Sequence, residues 1–225
     1  MSKVCVVCGI GPGNGEAFAR RFAAEGYQVA LLSRRTDLSE PLAQELGGKA
    51  YACDVTDKAR VQEVFKAIEA ELGPVNVLIY NAGSGTWGNI EELDADVFER
   101  AWRVNTLGAF MASQAVIPSM VERGDGAIVV VGATASLRGK PFTTAFAPAK
   151  AAQRSLAQAM ARHLGPKGVH VALMILDGRV SEPQTDAKIE SMDPASIAKA
   201  AHYLVEQDRS AWTFELDLRP HTENW

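Results

Sequence analysis

The sequence predicts the α/β class: a doubly wound parallel sheet with helices on both faces. Three observations carry this. Short apolar runs recur without polar alternation, as strands covered on both faces require. Helical-period segments alternate with them, which is the βαβ pattern of parallel sheets. The first run opens directly into a turn in which Gly9, Gly11, Gly13 and Gly15 alternate with other residues.

Taken in order, Val4 to Cys8 is the first strand, and Glu16 to Ala24 is a helix with Phe18, Ala19 and Phe22 along one face. Strand, glycine turn and helix N-terminus together bring free N–H groups and the positive end of the helix to one point, where a pyrophosphate binds well. Gly9, Gly11, Gly13, Asn14 and Gly15 are therefore expected to hold a dinucleotide. Gln28 to Ser33 is the second strand. An acid at its end would bind the adenosine ribose, whereas arginine accommodates a 2′-phosphate. The chain has Ser33-Arg34-Arg35 there, so NADP(H) is favoured and NAD(H) is the alternative.

A helix over Leu38 to Leu46 and a strand over Lys49 to Cys53 follow. Asp54-Val55 ends the strand, and Thr56-Asp57 caps a helix reaching Leu72. Asp54 either meets an adenine amino group or serves the turn. Val75 to Tyr80 is the next strand, closed by Asn81-Ala82-Gly83 at the same sheet edge. Val97 to Val121 reads as one long helix, mildly interrupted, and Gly126 to Gly132 as a strand. The helix bearing Lys150 runs to Leu164. Val169 to Leu176, a helix over Ala195 to Gln207 and a strand over Trp212 to Leu218 complete the chain. With no repeat, low-complexity tract or linker, residues 1–225 read as one domain.

The composition fits a soluble protein: 225 residues, 47% hydrophobic and 22% charged, with net charge -4. Mild acidity without a basic, aromatic-interleaved cluster argues against nucleic acid. No leader is evident, and no apolar stretch reads as long enough to span a bilayer. Cys5 and Cys8 have C-x-x-C spacing, but strand residues three apart face opposite ways. They and Cys53 read as buried, reduced thiols in a cytoplasmic protein, with no metal site.

Five marks in order resemble one family: Gly9-x-x-x-Gly13-x-Gly15, Asp54-Val55, Asn81-Ala82-Gly83, Val104-Asn105-x-x-Gly108 and Lys150. The chain resembles the short-chain dehydrogenase/reductase family over nearly all its length. The resemblance implies a Rossmann-type sheet of about seven strands in three α/β/α layers, with a nicotinamide cofactor across its carboxyl edge. It also implies that Asn81-Ala82-Gly83 supports the adenosine end, that Asn105 holds a relay water, and that Lys150 binds the nicotinamide ribose. It further implies a small-molecule substrate and a homodimer or homotetramer built on the Asn105 and Lys150 helices. Gly178 and Val180 fall where the family contacts the nicotinamide; Asp177 replaces a proline there, and the family's threonine position is Glu182. Trp87 and Thr134 are candidate substrate contacts, Trp87 being equally readable as packed under its loop.

The departures matter most. Counting back from Lys150, the family's catalytic tyrosine is Phe146 and its serine is Ala133. In such enzymes the tyrosine gives the proton and the serine steadies the growing oxyanion. Losing a general acid costs ~10²–10⁴ in rate, and losing an oxyanion donor ~10²–10³. Thr134, Ser136, Thr143 and Thr144 offer other hydroxyls, and a water between Lys150 and Asn105 offers the preferred route. Three functions follow: an NADP(H)-dependent oxidoreductase of a carbonyl or alcohol with a non-standard proton relay; a catalytically impaired NADP(H)-binding protein with a structural or regulatory role; or reduction of an activated double bond on the same scaffold.

Overall fold

The computed structural model describes residues 2–181 and 191–222. Seven strands form one parallel sheet in the order β3-β2-β1-β4-β5-β6-β7. They are β1 (Val4–Cys8), β2 (Gln28–Ser33), β3 (Lys49–Ala52), β4 (Val75–Tyr80), β5 (Gly126–Ala133), β6 (Val169–Leu176) and β7 (Glu215–Leu218). The helices are α1 (Asn14–Ala24), α2 (Ser39–Leu46), α3 (Lys58–Leu72), α4 (Ala95–Trp102), α5 (Gly108–Arg123), α6 (Phe146–Leu164) and α7 (Pro194–Val205). The doubly wound α/β class is thus observed. β1 and β4 are neighbours, and the chain turns in opposite directions from them. Their carboxyl ends therefore part to form the crevice in which ligands of such sheets bind.

Each strand side chain points to one of two apolar layers. Val4, Val6 and Cys8 pack with Phe65 of α3, Val116 of α5 and Leu164 of α6. Cys5 and Val7 pack with Phe18 and Phe22 of α1 and Ile197 of α7 on the other face. The two cysteines of the C-x-x-C pair thus lie in different layers. All three thiols are free and buried, and burial raises the pKa of each. Among the described residues no cluster of His, Cys, Asp or Glu could hold a metal ion.

The long middle helix carries the mild interruption expected from sequence. It divides into α4, a π-helical turn over Arg103–Leu107, and α5. Asn105 causes the break: its side-chain amide donates to the Ala101 carbonyl four residues back, the acceptor an α-helical N–H would use. At the end of the turn the Gly108 N–H donates five residues back, to Arg103. Taken as one unit, Ala95–Arg123 has 29 residues and is long and apolar enough to cross a membrane, which corrects the expectation from sequence. Half of its most apolar window is buried inside the protein. The last strand is shorter than expected: Arg209–Ala211 forms a 3-10 turn, and pairing begins only at Glu215.

Candidate functional site

Two clefts open along the carboxyl edge of the sheet. The first has a volume of about 860 Å³, and its lining includes Gly9, Gly11, Asn14, Gly15, Arg34 and Asp54. The glycines of the turn, of which all but Gly13 line this cleft, divide into two kinds. Gly9 lies at φ +96°, and a Cβ there would stand 2.5 Å from the Ala82 nitrogen, so β1 and the Asn81-Ala82-Gly83 turn pack backbone to backbone. The Asn81 amide locks this contact by donating to the Gly9 carbonyl at 2.7 Å. A Cβ on Gly15 would strike the Gly9 carbonyl, so that glycine serves the turn. At Gly11, by contrast, a Cβ would meet nothing within 4 Å. Gly13, at φ +97°, caps α1 without a side-chain hydrogen bond, leaving the helix end open. Beside it the Asn14 Oδ1 is buried with no partner. An open glycine cradle, an uncapped helix end and an orphaned polar atom fit a dinucleotide's pyrophosphate.

At the end of β2 the adjacent arginines part. Arg34 lines the cleft and is exposed, with no charged partner among the described residues. Arg35 is not in the lining and stands 4.0 Å from Asp37 in solvent. Ser33 also lines the cleft, but its hydroxyl donates to the Arg35 carbonyl at 2.7 Å and so shapes the turn. Asp54 accepts from the Thr56 N–H and hydroxyl, at 2.9 and 2.8 Å, while remaining in the lining with Val55. Of its two sequence readings, the turn role is thus in place. Ala82, Gly83 and Val180 complete this edge.

The second cleft, of about 600 Å³, adjoins the first at Gly83 and Val180. Ala133 and Phe146 both line it, so no hydroxyl comes from either position. Trp87, Thr134 and Gly178 line it too. Trp87 is not tucked beneath its loop: it is 59% exposed, with its ring 5.4 Å from Phe146 and 5.8 Å from Phe142. Glu182 lies outside the described residues.

Lys150 is 6% exposed, and its Nζ donates to the Val131 carbonyl at 2.9 Å and to Gln153 Oε1 at 3.0 Å. Burial carries its pKa down from 10.5 to about 7, because an ammonium without water is costly. The Phe146 ring lies 5.8 Å from the nitrogen. Gln153 comes one helical turn after Lys150, and from the same side chain Nε2 donates to the Asn105 carbonyl at 2.7 Å. The buried Gln153 side chain thus joins Lys150 to the Asn105 carbonyl, while the Asn105 Oδ1 is buried with no partner among the described residues. Asn105 itself lies behind the cleft wall, tied to Ser84 and Ala101.

Three of the four substitute hydroxyls are engaged. Thr134 donates to Asp177 Oδ1 at 2.8 Å, Thr143 to the Lys140 carbonyl at 3.0 Å and Thr144 to the Pro141 carbonyl at 3.4 Å. The Ser136 hydroxyl is buried without a partner and lies outside the lining. Asp177 is held on its other oxygen by Arg219 at 3.1 Å and Arg138 at 3.6 Å; these are charge contacts without hydrogen-bond geometry. Sequence reasoning missed Gln153, Arg138, Arg179 and Phe142. Only Gln153 left a signal, its helical spacing from Lys150.

A parallel sheet with an open glycine turn at its switch point defines a dinucleotide-binding α/β protein. Residues 3–193 match the family model described as short chain dehydrogenase, and the chain belongs to that family. It is similar to a short-chain dehydrogenase structure from Rhodopseudomonas palustris, with 35% identity, TM-score 0.85, and 97% of this chain and 99% of that one covered. It is also similar to an alcohol dehydrogenase from Thermococcus sibiricus complexed with 5-hydroxy-NADP, with 28% identity, TM-score 0.89, and 100% and 99% covered. A Xanthobacter autotrophicus relative named as an inactive 2-(S)-hydroxypropyl-CoM dehydrogenase is 32% identical, with 83% of this chain and 90% of that protein covered.

Proposed function

We propose that this chain is an NADP(H)-dependent oxidoreductase acting on a small carbonyl or alcohol through a non-standard proton relay. The observation carrying the cofactor choice is Arg34: an exposed guanidinium in the lining of the glycine cleft, with no charged partner among the described residues and no carboxylate at 33, 34 or 35. A guanidinium fork suits a 2′-phosphate, whereas a ribose diol calls for an acid. Gly11, Gly13 and Asn14 would hold the pyrophosphate, Asn81 to Gly83 the adenosine side, and Lys150, Gly178 and Val180 the nicotinamide end. When bound, the nicotinamide supplies or accepts hydride. The protein's part is to orient the two clefts, to exclude water with Phe146 and Trp87, and to hold a proton at Lys150 Nζ, which titrates near neutral pH.

A second reading is a cofactor-holding protein with little turnover. It is favoured by the Gln153 side chain, which engages both Lys150 Nζ and the Asn105 carbonyl, and by the word inactive in the name of the Xanthobacter relative. Residues 1–225 are read as one domain. The exposed Phe98 and Trp102 of α4 and Phe110 of α5 support a homodimer or homotetramer on this side, and the buried reduced thiols support a cytoplasmic protein.

The test is fluorescence titration with NADPH and NADH, followed by a turnover screen over aldehydes, ketones, quinones, imines and enones. NADPH is expected to bind at least ~10-fold tighter than NADH, the Arg34→Ala change removing most of that difference. Equal binding of both nucleotides, unaffected by Arg34→Ala, would refute the cofactor choice. Tight NADPH binding with no turnover on any substrate would establish the second reading.

A further inference from the structure

The second cleft has a composition that the redox step does not call for. One wall is aromatic: Trp87, Phe142 and Phe146 lie ring against ring, and Trp87 and Phe142 keep half or more of their surface in water. Rings this exposed do not serve the core, and clustered at a cavity they offer a flat apolar face. The other side is cationic. Arg138, Lys140 and Arg179 all line the cleft in a chain whose net charge is -4. Asp177 is the one carboxylate among the described lining residues, and Arg219, from outside the cleft, already stands 3.1 Å from it. Arg219 is shared between Asp177 and Asp217; Arg138 stands 3.6 Å from Asp177 with nearly half of its side chain in solvent, and Lys140 and Arg179 have no charged partner among the described residues.

We infer that the substrate is a planar aromatic or conjugated molecule bearing an anionic group, its ring against Trp87 and Phe142 and its anion between Arg138 and Arg179. This deepens the reading above and rests on its placing the nicotinamide end at Lys150, Gly178 and Val180, which line the same cleft and would bring the substrate there. A charge-assisted contact to guanidinium contributes a ~10–100-fold preference for the anion over a neutral isostere. Stacking on Trp87 is indifferent to that charge. The two walls are therefore separable by experiment: one selects for charge, the other for shape.

The experiment is calorimetric titration of the full chain with 2-naphthoate and with neutral 2-naphthamide, at low and high salt, alongside NADPH. The naphthoate is expected to bind at least ~10-fold tighter than the amide at low salt, with the gap narrowing as salt screens the arginines. Arg138→Met with Arg179→Met should close the gap and leave the amide within ~2-fold, whereas Trp87→Ala should weaken both ligands. Equal affinities, rejection of naphthoate, or a double variant that still prefers naphthoate each overturn the inference. So does a double variant that loses NADPH while keeping its preference for naphthoate, since the arginines would then serve the cofactor. NADPH bound with naphthoate rejected defeats the substrate class alone; NADPH not bound defeats the cofactor reading itself.

Discussion

Replacing Lys150 by methionine exposes how much the fold spends on a charge it has enclosed. The folded lysine releases its proton at about 7, whereas the ordinary value is 10.5. Between those values the unfolded chain holds a proton that the native chain does not, so stability rises with pH across that window. At and below about pH 7 the native state must accept the charge, and the penalty is present in full. The slope is ~1.4 kcal/mol per pH unit, and the whole window corresponds to as much as ~5 kcal/mol. Methionine fills similar space and does not titrate. Losing the hydrogen bonds to Val131 and Gln153 adds a pH-independent offset of ~1–3 kcal/mol. The assay is urea unfolding of parent and Lys150→Met from about pH 6 to about pH 10, taken as a difference so that other groups cancel. The parent should gain on the variant steadily above pH 7 and hold level below it. A difference that stays constant across the range would show that Lys150 is not desolvated, and the account of its titration near neutrality would fall.

Three further outcomes separate the roles of these residues. Installing Phe146→Tyr with Ala133→Ser should raise turnover of simple aldehydes and ketones by ~10²–10⁴, measured by NADPH oxidation; a double variant no faster than the parent would mean that the missing hydroxyls are not the limitation. Gly11→Val should leave the thermal unfolding midpoint nearly unchanged, since no atom lies within 4 Å of its Cβ position, yet abolish NADPH binding by filling the cradle. Gly9→Ala should do the reverse first, destabilising the fold by ~2–5 kcal/mol through left-handed strain and collision with Ala82.

The parts of the fold legible in sequence were those set by local constraint. The glycine turn shows because only certain backbones permit it, and the buried strands show because a covered parallel sheet leaves no polar alternation. Ala133 and Phe146 could be located by counting from Lys150. What escaped depends on tertiary placement. Gln153 has meaning only because the π-helical turn presents the Asn105 carbonyl to α6, and neither helix encodes that meeting alone. Arg34 and Arg35 are indistinguishable as neighbours in sequence, yet the bend after β2 sends one to the cleft and the other to Asp37. Arg138 and Arg179 come from separate crossovers and converge only because β5 and β6 are adjacent.

Arg219 follows β7 directly, yet it reaches Asp177 in the lining of the second cleft. Changes just beyond β7 therefore act on the second cleft. Clipping the protein after Leu218 would strip Asp177 of its nearest counter-ion and leave Arg138 as its remaining cation, drawing that side chain inward and away from any incoming anion. A substitution at Arg219, far from either arginine in the cleft lining along the sequence, is therefore not a neutral choice for assays of that cleft.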